Sequence, residues 1–252
     1  MKMILPEERD LHFCTCQYKP KFDSFGNVDL HDLMIQFQNI AGEHVERLGL
    51  GEDFKKEKSF YYILCRMKGY FLSSIDENET YTFVTYPTQA TSLQLYRYAY
   101  IIDSKGNPVF YLISLWVLMS QETRRLISSK VFREKIKEVL PDIDQVEPLT
   151  HEKLTELNIG DMEFHYFSSY VVDSNDIDVN QHMNNTVYMK IAQSSCILHP
   201  ISTFEIDFEK ECYLNETIAL ESYSDSNDYY VVGRKNDGIL SFIVKFSSKE
   251  NF

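Results

Sequence analysis

The run Leu30-His31-Asp32-Leu33-Met34-Ile35-Gln36-Phe37-Gln38-Asn39-Ile40-Ala41-Gly42-Glu43-His44-Val45-Glu46-Arg47-Leu48 places apolar side chains at Leu30, Leu33, Met34, Phe37, Ala41, Val45 and Leu48. Steps of three and four put these on one stripe of an α-helix, and Gly49 and Gly51 supply its stop. A strand signal at 12–19 and a turn-rich stretch at 22–27 precede the helix. Four strand-like runs follow it, at 60–71, 80–86, 92–103 and 109–120, the last two joined by the turn Ser104-Lys105-Gly106-Asn107-Pro108.

Downstream the same order returns. A strand at 163–172 leads into Asp173-Ser174-Asn175-Asp176, and a helix is predicted over 184–198, with Val187, Ile191, Ser194 or Ser195, and Leu198 inward and Pro200 beyond its end. Strand-like runs follow at 202–212, 217–223, 229–234 and 240–247, the last pair joined by Asn236-Asp237-Gly238. One long central helix wrapped by a curled antiparallel sheet, twice over, predicts an α+β fold. The expected organisation is a unit at 1–128, a linker at 129–157 with a helix over 131–137 broken by Pro141 and Pro148, and a unit at 158–252.

The chain has 252 residues, and its 25 Lys+Arg against 38 Asp+Glu give a net charge of -13, which argues against nucleic acid as a bulk partner. Hydrophobic residues at 44% and charged residues at 25% exclude disorder and fibrous repeats. Residues 1–10, MKMILPEERD, lack the apolar core of a secretory leader. The longest apolar run, 109–119, is about half of what a membrane helix needs, so no membrane span is expected. Cys14, Cys16, Cys65, Cys196 and Cys212 are odd in number and scattered, which implies no disulfide framework. Cys14-x-Cys16 alternates within 12–18 and reads as a strand face, not as half of a metal site. A cytosolic, metal-free protein is expected.

The chemistry concentrates in Asp176-Ile177-Asp178-Val179-Asn180-Gln181-His182-Met183-Asn184-Asn185-Thr186-Val187-Tyr188, on the loop entering the second helix. One reading is a cap: Asp176 closes a turn, and Asn184 or Asn185 caps the helix. The other takes the polar residues at 178, 180 and 182 together, since a spacing of two on an extended segment aims them to one side. They would stand near a helix N-terminus, which favours a developing oxyanion. A carboxylate, an Asn and a His in that place suit acyl-transfer or hydrolytic chemistry.

This segment resembles the signature of the acyl-acyl-carrier-protein thioesterases, a family of tandem hot-dog proteins. Asp207-Phe208-Glu209-Lys210-Glu211-Cys212 is similar to that family's strand ending in Glu-Cys. Gly26-Asn27-Val28, Gln38-x-x-Ala41-x-x-His44, 97–103 with Gly106, and Trp116-x-x-Met119 followed by Thr123-Arg124-Arg125 add matches in the same order. Ser120 departs from it, where the family often has Asn or Asp. The resemblance implies a tandem hot-dog fold and hydrolysis of fatty acyl thioesters of acyl carrier protein, with no metal or organic cofactor. It implies Asp178, Asn180 and His182 as catalytic, with Glu211 activating or positioning water. Cys212 matches a position once assigned as a nucleophile. Water attack is favoured here, because only a thiolate attacks and Glu209 and Glu211 should raise the thiol's pKa. The first unit is expected to build the acyl pocket and the second to be catalytic. In the first half Asn27, Asp29 and His31 alternate as a degenerate second site would, but they are expected instead to cap the first helix.

Acyl carrier protein is acidic like this chain, so docking calls for a local basic patch. Arg124, Arg125, Lys130, Arg133, Lys135 and Lys137 supply one, opposed by Glu134 and Glu138, although such a run is also the ordinary solvated face of a linker helix. Lys55, Lys56 and Lys58 are a lesser candidate. The alternatives are an acyl-CoA thioesterase and a non-catalytic acyl-thioester-binding protein; the polar set argues against the second, since a binding pocket gains nothing by burying it. A hot-dog dehydratase would need a His paired with a distal acid in that family's pattern. Plant members begin with a plastid transit peptide and this chain begins almost at its first strand, so a bacterial cytosolic origin is expected, as a monomer acting as a pseudo-dimer or as a homodimer.

Overall fold

On α1 (Leu30–Arg47) the stripe residues Leu30, Leu33, Met34, Phe37 and Ala41 are buried, as is Leu48 just past its end. Val45 is half-buried, and the neighbouring His44 is enclosed instead. His44 Nε2 donates to the Leu11 carbonyl at 2.9 Å, and Nδ1 faces Arg97 Nη1 at 3.2 Å. Burial first, and then the Arg97 cation, hold this imidazole down to about 3. Arg97 also reaches Thr85 Oγ1 at 3.2 Å, and burial lowers its pKa to about 10. The computed structural model describes residues 10–248; the leader-free reading of the first residues falls on 1–9, outside those described.

The chain divides into two compact units. The first comprises Ile35–Met67 and Leu72–Leu154 with the chain up to Pro20, and the second comprises Lys21–Met34, Lys68–Phe71 and the chain from Thr155 onward. The strands of the first half are β1 (Cys14–Tyr18), β2 (Phe60–Phe71), β3 (Tyr81–Pro87), β4 (Gln94–Ile102) and β5 (Pro108–Ser120), with the short β6 (Leu126–Ile127) on β5. Those of the second half are β7 (His165–Val171), β8 (Thr203–Phe208), β9 (Thr217–Ser224), β10 (Asp228–Lys235) and β11 (Leu240–Ser247). The order β1-β3-β4-β5-β2 is repeated as β7-β9-β10-β11-β8. Antiparallel registers set Cys14 opposite Thr85, Tyr98 opposite Ile113 and Val231 opposite Val244. The repeated plan read from the sequence is therefore present strand for strand.

Between the halves lies α3 (Lys130–Val139), whose Phe132 and Ile136, with Leu140 and Ile143 beyond, join a buried cluster with Leu48, Leu50, Phe60, Leu95 and Leu118. Each such burial contributes about 1.5–3 kcal/mol. Tyr86 and Tyr98 donate to the carbonyls of Glu147 and Thr150 at 3.2 Å. The segment expected to link the units thus packs as part of the first one, through Leu154.

Three elements differ from expectation. The second central helix, α4 (Asn185–Gln193), stops at 193 and not at 198: the N–H groups of Ser195 and Cys196 tighten to the carbonyls of Ala192 and Gln193 at 3.3 and 3.0 Å, and the hydroxyls of Ser194 and Ser195 turn back to Ile191 and Ala192 at 2.7 and 2.9 Å. The strand expected to reach Cys212 ends at Phe208, because the N–H groups of Glu209 and Lys210 both turn to the Ser241 carbonyl at 2.8 and 2.9 Å. A short charged helix, α2 (Glu52–Lys58), was not foreseen; only its Phe54 is buried. Cys14 and Cys16 both lie on β1, as a strand face. No helix among the described residues is long and apolar enough to cross a membrane.

Candidate functional site

The segment 176–188 folds as a tight turn and not as an extended run. Ile177 bridges Met183, Asp178 N donates to the His182 carbonyl at 2.8 Å, and Gln181 adopts a left-handed φ of 67°. The Asp178 carboxylate closes the turn from inside: Oδ1 accepts from Asn180 N at 2.8 Å and from His182 N at 3.3 Å, and the Asn180 amide approaches Oδ2 at 3.4 Å. The Asp178 and Asn180 side chains thus meet, while His182 joins the turn through its main chain; Asn180 is exposed and Asp178 and His182 are half-buried. Upstream, Asp176 is buried and accepts from Tyr170 Oη at 2.7 Å and from Asp173 N at 2.8 Å. Asn184 caps α4 by accepting from Thr186 N at 2.9 Å, so the capping reading is correct for 176 and 184 and leaves His182 to other work.

The His182 imidazole meets Glu211. Nε2 lies 3.4 Å from Glu211 Oε2, the two side chains being 20% and 33% exposed. What brings them together is the residue between them and the core. Cys212 accepts Met183 N at its carbonyl at 2.8 Å, and its own N–H donates to Tyr188 Oη of α4 at 3.1 Å. Its thiol is fully buried, 3.0 Å from Ser241 Oγ, which in turn donates to the Lys210 carbonyl at 2.7 Å. Burial raises the Cys212 pKa. The direction is the one expected; burial is the largest cause, and the carboxylate that adds to it is Glu216.

Around the pair stand residues that the motif did not point to. Tyr213 Oη donates to Glu211 Oε2 at 3.0 Å, and Lys235 Nζ reaches the Glu211 carbonyl at 3.1 Å and the Glu216 carboxylate at 2.8 Å. Tyr213 follows directly on Glu-Cys and so was open to suspicion from sequence. Lys235 and Ser241 sit on other strands, and only the β10–β11 register brings them here.

The first half carries the same turn, displaced from where alternation placed it. Phe22 bridges Val28, Asp23 N donates to the Asn27 carbonyl at 2.8 Å, and Asp23 Oδ1 accepts from Phe25 N and Asn27 N, both at 2.9 Å. Gly26 holds the left-handed position with φ 84°. Asp23, Phe25 and Asn27 are therefore the counterparts of Asp178, Asn180 and His182. Of the residues expected to cap the first helix, Asp29 does so, accepting from Asp32 N at 3.1 Å. Asn27 instead braces the chain beyond α4: its amide donates to the Leu198 carbonyl at 3.0 Å, and its oxygen accepts from Ile201 N at 2.9 Å.

The basic run lies in the first unit, where much of its charge is matched. Lys130 lies 3.7 Å from Glu134, Lys135 lies 3.0 Å from Glu138, and Lys137 lies 2.5 Å from Asp144. Arg124 covers the Tyr61 ring at 5.8 Å, and Arg133 Nε is buried without a hydrogen-bond partner. Arg125 is exposed. Lys55 and Lys56 both pair with Glu52, and Lys58 pairs with Glu57.

A helix and five strands in one fixed order, given twice in a single chain, with a polar turn at the entrance of the second helix, define a tandem hot-dog protein. Solved structures share the fold: an acyl-ACP thioesterase from Bacteroides thetaiotaomicron superposes with a TM-score of 0.80 at 20% identity, covering 94% of this chain and 97% of that one. A 12:0-ACP thioesterase from Umbellularia californica gives 0.78 at 17% identity, covering 97% and 100%. The chain belongs to the acyl-ACP thioesterase family, whose N-terminal domain profile matches residues 17–139 and whose C-terminal domain profile matches 160–239. A chloroplastic palmitoyl-acyl carrier protein thioesterase of Gossypium hirsutum is 32% identical over 123 residues, 45% of this chain and 29% of that protein, so the likeness spans under a third of the relative's length.

Proposed function

We propose that the protein hydrolyses fatty acyl thioesters of acyl carrier protein, releasing free fatty acid, and that the second unit performs the chemistry. The observation that carries this reading is the approach of His182 Nε2 to Glu211 Oε2 at 3.4 Å beside the Asp178–His182 turn. In the proposed reaction Glu211 takes a proton from water with His182 orienting it, and the water oxygen attacks the thioester carbonyl. The exposed Asn180 amide donates to that carbonyl, and the protonated base returns its proton to the departing thiolate of the carrier's prosthetic arm. Asp178 holds the turn that presents both Asn180 and His182. Cys212 packs and positions; a fully buried thiol with a raised pKa is a poor nucleophile.

The first unit is proposed to build the acyl pocket, and the exposed arginines at 124 and 125, with α3, are proposed to receive the acidic carrier protein. The proposed compartment is a bacterial cytosol: the five cysteines are odd in number and scattered along the chain, as in a protein that keeps its thiols reduced. The test is fatty acid release from carrier-linked and CoA-linked chains of graded length, wild type beside His182→Ala. Turnover that favours carrier-linked chains and is lost in the variant supports the reading. Preference for CoA moves it to an acyl-CoA thioesterase, and binding without turnover moves it to a non-catalytic acyl-thioester-binding protein.

A further inference from the structure

We propose that Tyr213 is a positioning residue for the hydrolytic pair, its phenol holding Glu211 Oε2 against the His182 imidazole. The inference rests on the reading of Glu211 as the base. The phenol donates at 3.0 Å to the same carboxylate oxygen that His182 Nε2 approaches at 3.4 Å. The rings of Tyr213 and His182 meet edge to face, 5.1 Å between centroids at 84°, so one side chain touches both members of the pair.

Tyr213 is itself held rigidly. Its N–H donates to Glu216 Oε2 at 2.9 Å, and Glu216 N donates back to the Tyr213 carbonyl at 3.0 Å, closing a turn whose Asn215 has a φ of 66°. Lys235 Nζ fastens the turn from β10: it lies 2.8 Å from Glu216, 3.1 Å from the Glu211 carbonyl and 5.3 Å from the centre of the Tyr213 ring. The ring is 42% exposed and contributes little to the core. A solvent-facing tyrosine fastened in this way, with its hydroxyl on a carboxylate, fixes that carboxylate's rotamer. Pre-setting a base in this way lowers the reorganisation required in the transition state.

His182 and Tyr213 meet the Glu211 carboxylate, while Lys235 holds the Glu211 carbonyl and pairs with Glu216. Burial opposes the charge on Lys235, but Glu216 outweighs it and the ammonium is held above its ordinary value.

The test is kcat and KM on a carrier-linked thioester for wild type, Tyr213→Phe, Glu211→Gln and the double variant. Tyr213→Phe keeps the ring contacts and should lower kcat about tenfold with KM nearly unchanged. In the residual turnover of Glu211→Gln the same change should cost less than twofold, because the phenol acts through that carboxylate. Wild-type kcat and KM in Tyr213→Phe beside a Glu211→Gln enzyme that has lost most of its turnover overturn the role of Tyr213 alone. Equal losses from Tyr213→Phe in both backgrounds overturn it as well. Full activity in Glu211→Gln overturns both the site and this inference.

Discussion

The main-chain N–H of Cys212 donates to the hydroxyl of Tyr188 at 3.1 Å, which ties the chain after β8 to the central helix and carries Glu211 to its place beside His182. Tyr188 is buried, with its ring against Phe208 and Phe242. Tyr188→Phe keeps those contacts and leaves the buried N–H unpaired, at a cost of about 1–3 kcal/mol. Urea unfolding should show that loss together with a reduced kcat. Cys212→Ala should retain measurable turnover; complete inactivation of a folded Cys212→Ala would restore the thiol as nucleophile.

Gln193, the last residue of α4, makes three bonds into the first turn. Nε2 donates to Asp23 Oδ2 and to the Val28 carbonyl, both at 2.9 Å, and Oε1 accepts from Leu30 N, the first N–H of α1, at 2.8 Å. Gln193→Ala removes all three in a buried place and should cost about 3 kcal/mol in chemical denaturation. Gln193→Glu loses both donations and should be no better tolerated.

Acid should weaken the protein through His44. Its folded value of about 3 lies below the 6.5 of an unconstrained imidazole. As pH falls through 6.5 the unfolded chain takes up a proton that the folded chain refuses, so stability is fully present above that pH and declines below it. The slope approaches about 1.4 kcal/mol per pH unit for one such group. Comparing urea midpoints at pH 7 and pH 4.5, the fall should be smaller in His44→Gln than in wild type. Equal falls would mean that His44 is protonated in the fold.

Gly233 on β10 faces Phe242 on β11, where an added Cβ would stand 2.1 Å from the ring. Gly233→Ala must push this buried ring aside, and overpacking of that kind costs about 1–3 kcal/mol. Phe242→Leu placed in the same chain should recover part of the loss, which a double-variant melt would reveal.

If the basic run receives the carrier protein, Arg124→Glu with Arg125→Glu should raise KM for carrier-linked substrate several-fold at low salt and leave a short free thioester unaffected. An equal rise for both substrates would remove the patch from docking. The lysines of α3 should matter less, since Lys135 and Lys137 already pair with Glu138 and Asp144.

Periodicity made the fold legible. The α1 stripe, the hairpin turns at 104–108 and 236–238, and the twofold order of helix and strands are all local patterns, and the structure carries them. What was hidden depended on hydrogen bonds that no pattern announces. Ser194 and Ser195 could have continued α4, but from Ser195 on the main-chain N–H groups tighten to carbonyls three residues back. Glu209 and Lys210 read as strand until the Ser241 carbonyl takes both N–H groups. The residues proposed for the site were visible as residue types, but alternation gave the wrong geometry: a left-handed Gln181 turns the segment, so Asp178 works on backbone N–H groups and not alongside His182 on one face. The same error misplaced the first-half counterpart, since Asp23, Phe25 and Asn27 share only the aspartate with Asp178, Asn180 and His182.

Under the proposed function, that counterpart turn also sets the number of sites per chain. A symmetric pair of identical units would present two equivalent sites, and occupancy of one could influence the other. Here the position of His182 is taken in the first turn by Asn27, whose amide is committed to Leu198 and Ile201. One turn has kept the imidazole while its twin has become a strut. The polypeptide should therefore titrate with one equivalent of a non-hydrolysable acyl analogue and give saturation without cooperativity, however many chains assemble around it.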